Sequence, residues 1–331
     1  VTAAVYSGGA GLAAPFPWFG GKSRAAHAIW QRFGDPPNYV EPFAGSLAVL
    51  LARPDGGRRV ETVNDKDAFV SNFWRAVTAD PEGTARYADW PVNENDLHAR
   101  HAYLVGIRDG FRARIEGDPD FFDPRVAGWW AWGVCNWIGS GFCSGAGPWT
   151  VRDGELVRDP GHAGAGVKRQ LPHLWRARGI NRTAAPLGDV YAWFAALADR
   201  LRTVRVTSGD WTRVLSETVT TRRGVTGILL DPPYSSAVDQ WRVYASDDLL
   251  IAHAVRDWAA VNGGHPLMRI ALCGYAGEGH EALEDAGWTV HRLKAQGGYG
   301  AGRDNTSREA VWFSPHCLPV TPQPSLFGAA S

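Results

Sequence analysis

Residues 38–65 read as a short strand over 38–43, a small-residue turn at Ala44-Gly45-Ser46, a buried helix over 47–51, and a second strand over 59–63 that ends in Asn64-Asp65. Two short strands joined by a helix make the crossover unit of a doubly wound parallel sheet. In such a sheet the loop after the first strand brings bare backbone up to a ligand, here at Gly45. Asp65, which closes the second strand about 20 residues later, is placed to accept hydrogen bonds from two ribose hydroxyls. The segment predicts a nucleoside site.

The same logic continues, breaks off and resumes. A helix over 67–78 carries Phe69, Val70, Phe73, Trp74 and Val77 at helical spacing, most simply as core. From roughly 80 to 200 the chain turns to Pro, Gly and aromatic clusters. Strands return at 202–207, ending in Gly209-Asp210-Trp211, and at 225–230, running into Asp231-Pro232-Pro233-Tyr234. A strand over 269–274, a helix over 280–286 and strands over 288–293 and 310–313 follow. The expected fold is α/β, a doubly wound Rossmann-like sheet interrupted by a mostly helical and loop insertion. Residues 1–14 form a flexible arm, 15–80 and 200–315 the sheet domain, 81–199 the insertion and 316–331 a Pro-rich tail.

Lys+Arg and Asp+Glu are both 34, a net charge of +0, which argues against a polybasic coat and leaves room for a local basic groove. The four cysteines, Cys135, Cys143, Cys273 and Cys317, have no Cys-x-x-Cys spacing, so reduced thiols are expected and neither a metal site nor a disulfide framework. No apolar run approaches the ~18 residues of a membrane span, and the first residues lack a signal-peptide pattern. The expected location is the cytoplasm of a bacterial or phage-infected cell. Residues 9–14 fit a dinucleotide fingerprint, but Pro15 and Pro17 stand where its helix should begin. Gly20-Gly21-Lys22-Ser23 looks like the end of a phosphate loop, yet Phe16 stands where the leading glycine must be.

Asp231-Pro232-Pro233-Tyr234 sets a carboxylate, two rigid backbone units and an aromatic ring at the mouth of the sheet. The exocyclic amine of a nucleobase is a double donor that the Asp231 carboxylate and the Pro232 carbonyl can hold while the ring stacks on Tyr234. The same residues also make an ordinary strand end and turn. Such an amine is a poor nucleophile because its lone pair is delocalised, and hydrogen bonds to both its hydrogens favour a pyramidal nitrogen. None of the cysteines follows a proline, so methylation at cytosine carbon-5 lacks its usual thiolate.

Taken in order, Pro17-Trp18-Phe19-Gly20-Gly21-Lys22, Glu41-Pro42-Phe43-Ala44-Gly45-Ser46, Asn64-Asp65, Gly209-Asp210-Trp211 and Asp231-Pro232-Pro233-Tyr234 resemble the Dam-like adenine-specific DNA methyltransferases. The likeness covers most of 15–313 and is thinnest over 80–200. It implies a catalytic domain over 15–80 and 200–315 that uses S-adenosylmethionine, with a target-recognition insertion over 81–199. By this resemblance Trp18 and Lys22 contact or close over the methionine end of the cofactor. Phe43, Ala44 and Gly45 shape its floor, Asp65 holds its ribose and Asp210 its adenine amino group. Asp231, Pro232, Pro233 and Tyr234 are the catalytic set, for direct in-line transfer to the 6-amino group of an adenine flipped out of double-stranded DNA. The alternatives are cytosine 4-amino or RNA adenine methylation, or a DNA-binding module without catalysis. Trp18 also reads as core, Lys22 as a solvated charge and Asp210 as a helix cap.

Within the insertion, Trp129, Trp130, Trp132, Trp137 and Trp149 read mainly as packing. Lys168, Arg169, Arg176, Arg178 and Arg182, interleaved with His173 and Trp175 and with no acid among them, read as a grip on DNA phosphates. In the tail, Gln323-Pro324-Ser325-Leu326-Phe327 is similar to the peptides by which bacterial DNA enzymes dock on the sliding clamp.

Overall fold

The computed structural model describes residues 12–18, 21–54, 59–118, 120–137, 142–143, 149–153, 155–158, 190–233, 247–293 and 309–319. In chain order these form α1 (Ala26–Phe33), β1 (Asn38–Glu41), α2 (Ala48–Leu51), β2 (Val60–Asp65), α3 (Ala68–Ala79), α4 (Pro81–Ala88), α5 (Glu94–Gly117) and α6 (Pro124–Asn136). A hairpin of β3 (Trp149–Arg152) and β4 (Glu155–Arg158) follows, then α7 (Val190–Leu201), β5 (Val204–Ser208) and β6 (Thr226–Leu230). The last elements are α8 (Asp247–Asn262), β7 (Met268–Tyr275), α9 (Ala282–Asp285), β8 (Thr289–Arg292) and β9 (Glu309–Phe313).

Seven strands make one sheet in the order β5-β2-β1-β6-β7-β9-β8. All neighbours are parallel except β9, which runs antiparallel to both β7 and β8. The order reverses at β1, flanked by β2 and β6, so the carboxyl ends of these strands open a crevice at a topological switch point. Alternation along the strands divides the core. Tyr39, Val63, Leu229, Ala271, Cys273, Val311 and Phe313 face α1, α2, α3 and α7. Val40, Ile228, Leu230, Ile270, Leu272, Ala310 and Trp312 face α8 and the turn at Trp211–Val214. The expected Rossmann-like sheet, covered on both faces, is what forms.

Element ends differ from expectation where local chemistry intervenes. β1 stops at Glu41 rather than running through Phe43, because Pro42 has no N–H to extend a ladder. The helix expected over 280–286 shrinks to Ala282–Asp285, and Gly287 follows at φ 85°. The stretch from 81 to 136 is more regular than its composition suggests. Asp80, Asn93 and Asp123 each cap a helix with the side chain, and Pro81 and Pro124 stand at helix starts. α4 and α6 pack on α3, so their apolar faces join the core beneath β1 and β2. Phe16, Phe73, Trp74, Trp130 and Phe194 meet there, with ring centroids 4.9 Å apart for Phe16–Trp130 and for Phe73–Trp74. Trp130 and Trp132 are buried, in keeping with a packing role.

A buried ion cluster ties α7 to this sheet. Arg200 grips both carboxylate oxygens of Glu61 on β2, at 2.7 and 2.9 Å, and Arg53 donates to Glu61 Oε1 at 3.0 Å. The Arg200 fork thus holds the carboxylate from one side, and Arg53 adds a single bond while its other nitrogen reaches Asp35 at 3.0 Å.

Candidate active site

The crevice begins with the loop after β1. Gly45 takes φ 45° and Leu47 φ 54°, a left-handed pair that turns the chain sharply into α2. A Cβ at Gly45 would collide with the Trp18 indole, so glycine is required both by backbone conformation and by this close approach. The loop is pinned from three directions. Ala44 N donates to Asn64 O at 2.8 Å, Trp74 Nε1 to Gly45 O at 2.9 Å, and Gly45 N to Asp65 Oδ2 at 2.8 Å.

Asn64 and Asp65 divide the work at the end of β2. Asn64 is buried, and its amide donates to Pro42 O at 3.1 Å and to Gly209 O at 3.0 Å, joining the loops after β1 and β5. Its Oδ1 accepts from Thr207 Oγ1 at 3.0 Å. Asp65 accepts from Gly45 N and, through Oδ1, from Asp67 N at 2.8 Å. Burial pushes its carboxyl up to about 7, with nearby Asp67 adding to the effect and the backbone N–H groups opposing it.

Phe43 stacks on Trp211, at 6.1 Å between centroids, and makes an apolar wall. Asp210 caps the turn at Trp211–Val214 through Thr212 N at 2.9 Å, so the capping role is present in the structure, and the side chain is exposed. Trp18 is 36% exposed and packs edge-on against Phe16 at 5.9 Å. Packing and an exposed surface therefore coexist in this ring.

Beside the glycine loop, Asp231 leaves the end of β6, followed by the buried Pro232 and the exposed Pro233. Lys22 is not a solvated charge: it is 4% exposed, with its ammonium 2.9 Å from Asp231 Oδ1 and 3.1 Å from Glu309 Oε1. Burial works against the charged form, but Asp231 first, then Cys273 and Glu309, outweigh that and raise the ammonium's pKa. Glu41, at the end of β1, is buried and accepts from Tyr39 Oη at 2.9 Å. Burial holds its carboxyl well above the ordinary range; the Tyr39 hydrogen bond opposes this, and Asp231 and Asp65 add to it.

The structure thus brings together Trp18, Lys22, Phe43, Ala44, Gly45, Asp65, Asp210, Asp231, Pro232 and Pro233 at one edge of the sheet. Tyr234, the basic series Lys168, Arg169, Arg176, Arg178 and Arg182, and the tail residues Gln323, Leu326 and Phe327 lie outside the described residues. Motif reading passes over Glu309. Its signal is parity: two residues before Val311, it shares the sheet face on which Lys22 arrives. Among the described residues no cluster of three or more His, Cys, Asp or Glu side chains could hold a metal ion, and no helix is long and apolar enough to cross a membrane.

A mostly parallel seven-stranded sheet with its acids gathered at the switch point defines a Rossmann-like methyltransferase fold. Residues 18–119 match the family model of the D12 class N6 adenine-specific DNA methyltransferases, a stretch of less than half of the chain. The match takes in Trp18, Lys22, the glycine loop and Asp65, and ends before β5 and β6. No curated protein matches the chain.

Proposed function

We propose that the chain transfers a methyl group from S-adenosylmethionine to the 6-amino group of an adenine turned out of double-stranded DNA. The observation that carries this reading is the position of Asp231, at the end of β6 next to β1, where it meets the Lys22 ammonium beside the glycine loop.

The residues fit the cofactor. A carboxylate offers about four lone-pair directions. Gly45 and Asp67 each donate to one oxygen of Asp65 and the Lys66 backbone N–H also favours the carboxylate, so the lone-pair capacity that remains would take a ribose hydroxyl. Phe43 and Trp211 supply an apolar wall, Asp210 an exposed acceptor for an adenine amino group, and Trp18 a partly exposed ring over Gly45. When bound, S-adenosylmethionine supplies an electrophilic methyl group on a sulfonium.

Asp231 and the Pro232 carbonyl hold the two hydrogens of the target amine, so its lone pair localises toward the methyl. Positioning supplies much of the remaining acceleration. Tyr234 stacks on the base and returns about 1–3 kcal/mol of the few kcal/mol that unstacking costs. In the same proposal Lys168, Arg169, Arg176, Arg178 and Arg182 hold DNA phosphates, and Gln323, Leu326 and Phe327 dock on the sliding clamp.

The test is digestion of treated DNA to nucleosides with identification by mass spectrometry. N6-methyldeoxyadenosine from the intact chain, absent with Asp231→Ala, is the expected result. N4-methyldeoxycytidine in its place would move the reaction to the other amine, and no methylated nucleoside at all would overturn the proposal.

A further inference from the structure

Arg100, on α5, is 7% exposed, and its guanidinium carbon lies 4.4 Å from the ring centroid of Trp132, 5.0 Å from Trp90 and 5.2 Å from Trp129. Three indole faces attract the charge, yet an indole offers no lone pair to its N–H groups. Among the described residues no hydrogen bond or ion pair reaches this guanidinium, and Nη1 is sealed from solvent without a partner. Burial works against its charge; Asp96, one turn earlier on α5, opposes this, while its own carboxylate takes Trp90 Nε1 at 2.6 Å. A buried guanidinium without an acceptor is costly, and its planar fork matches the oxygens of an anion.

The surroundings narrow the anion to one kind. α6 sets Trp130 against Trp18 at the crevice, 6.2 Å between centroids, and Trp129 and Trp132 against Arg100. Trp90 is 44% and Tyr103 40% exposed, and the exposed Arg125 guanidinium lies 5.2 Å from the Trp129 centroid and donates to Tyr103 Oη at 3.1 Å. A second cation and two open rings thus surround the buried one, one helix away from the crevice. We propose that Arg100 is a phosphate site: its guanidinium takes one backbone phosphate of duplex DNA, with Trp90 and Arg125 at the rim. The inference rests on the function proposed above and adds a contact on α5 apart from the basic series over 168–182. The three rings hold the fork in one orientation, so little freedom is lost on binding, and a phosphate oxygen supplies the acceptor. Such a contact fixes the duplex in register over the crevice and reads no base.

The test compares Arg100→Met and Arg100→Lys with the intact chain and with Arg202→Met, a control just past α7 whose exposed guanidinium pairs with Asp199 at 3.2 Å. A fluorescein-labelled duplex is titrated by anisotropy across a salt series, with thermal unfolding and calorimetry of S-adenosylmethionine and of inorganic phosphate alongside. Losing one phosphate contact lowers the slope of log affinity against log salt by about 0.9. Arg100→Met is expected to show that fall, with duplex affinity down about tenfold or more, cofactor affinity within about twofold and an unfolding midpoint no lower than that of the intact chain. Arg100→Lys keeps most of the slope and Arg202→Met all of it. An unchanged slope in Arg100→Met, an equal fall in Arg202→Met, or an Arg100→Met chain that no longer folds would each overturn the inference, the last by making the guanidinium a staple for the three rings. Arg100-dependent uptake of inorganic phosphate with an unchanged duplex slope would overturn it in favour of a free phosphate. If the slope falls as expected while the intact chain makes no N6-methyldeoxyadenosine, the functional reading has failed and the phosphate site stands.

Discussion

Two ion clusters serve the same sheet with opposite make-up. Beneath β2, Glu61 sits between the guanidinium groups of Arg53 and Arg200; at the crevice, the Lys22 ammonium sits between Asp231 and Glu309. A planar guanidinium fixes its partner by two directed bonds, while an ammonium is a point charge that tolerates a change of partner. The first cluster is a fastener that joins α7 to the sheet. The second joins the loop before α1 to the ends of β6 and β9. The contrast shows that burial of charge does not by itself mark an active site: the kind of cation and the place in the sheet separate the two.

The contrast can be broken most severely from the structural side. Glu61→Ala leaves Arg53 and Arg200 without their buried partner and is expected to destabilise the fold by about 3–5 kcal/mol in urea denaturation. A loss near zero would show that the fastener does not hold. Asp231→Asn should do the reverse, cutting turnover by about 10²–10³-fold while the unfolding midpoint barely moves. Comparable stability losses in the two variants would erase the distinction. Asp65→Ala, which removes a charged acceptor beside the glycine loop, should weaken S-adenosylmethionine binding by about 10–100-fold in calorimetry, with smaller changes in turnover at saturation.

The gentlest probe is pH. Asp65 titrates at about 7, so below that value the acceptor for ribose hydroxyls is increasingly protonated. Cofactor affinity should rise with pH up to about 7 and level off above it, and Asp65→Asn should flatten the curve. The stability effect has the opposite sign. The folded chain holds this proton more tightly than the unfolded one, so the associated stability is full below 3.8 and is lost as pH rises through about 7.

Much of this organisation was legible in the residues. The strands at 226, 269 and 310 announce themselves by the apolar runs over 228–230, 270–273 and 310–313, while those at 38 and 60 carry Asn38, Glu41 and Glu61 and are marked rather by the turn and by Asn64 and Asp65 that end them. The helices after α3 were less legible. α5 buries only a few apolar positions, Leu97, Leu104, Phe111 and Ile115 among them, so its stripe is thin; the better signals are the Asn93 and Asp123 caps. The hairpin of β3 and β4 hangs on Asp153 at φ 49°, in an Asp-Gly pair easily lost among other glycines. Motifs could place Lys22 near a ligand, but not between two acids. That contact joins residues at nearly opposite ends of the described chain, and no local pattern encodes it.

The place of β9 has a temporal consequence. It inserts antiparallel between β7 and β8, so β8 has no partner in the sheet until the last strand arrives. A nascent chain emerging from the ribosome can assemble β1, the glycine loop and β2 early, yet Glu309 reaches Lys22 only when the last strand is made. The crevice is therefore among the first parts begun and the last completed, and synthesis itself delays the Glu309 contact until the sheet has closed.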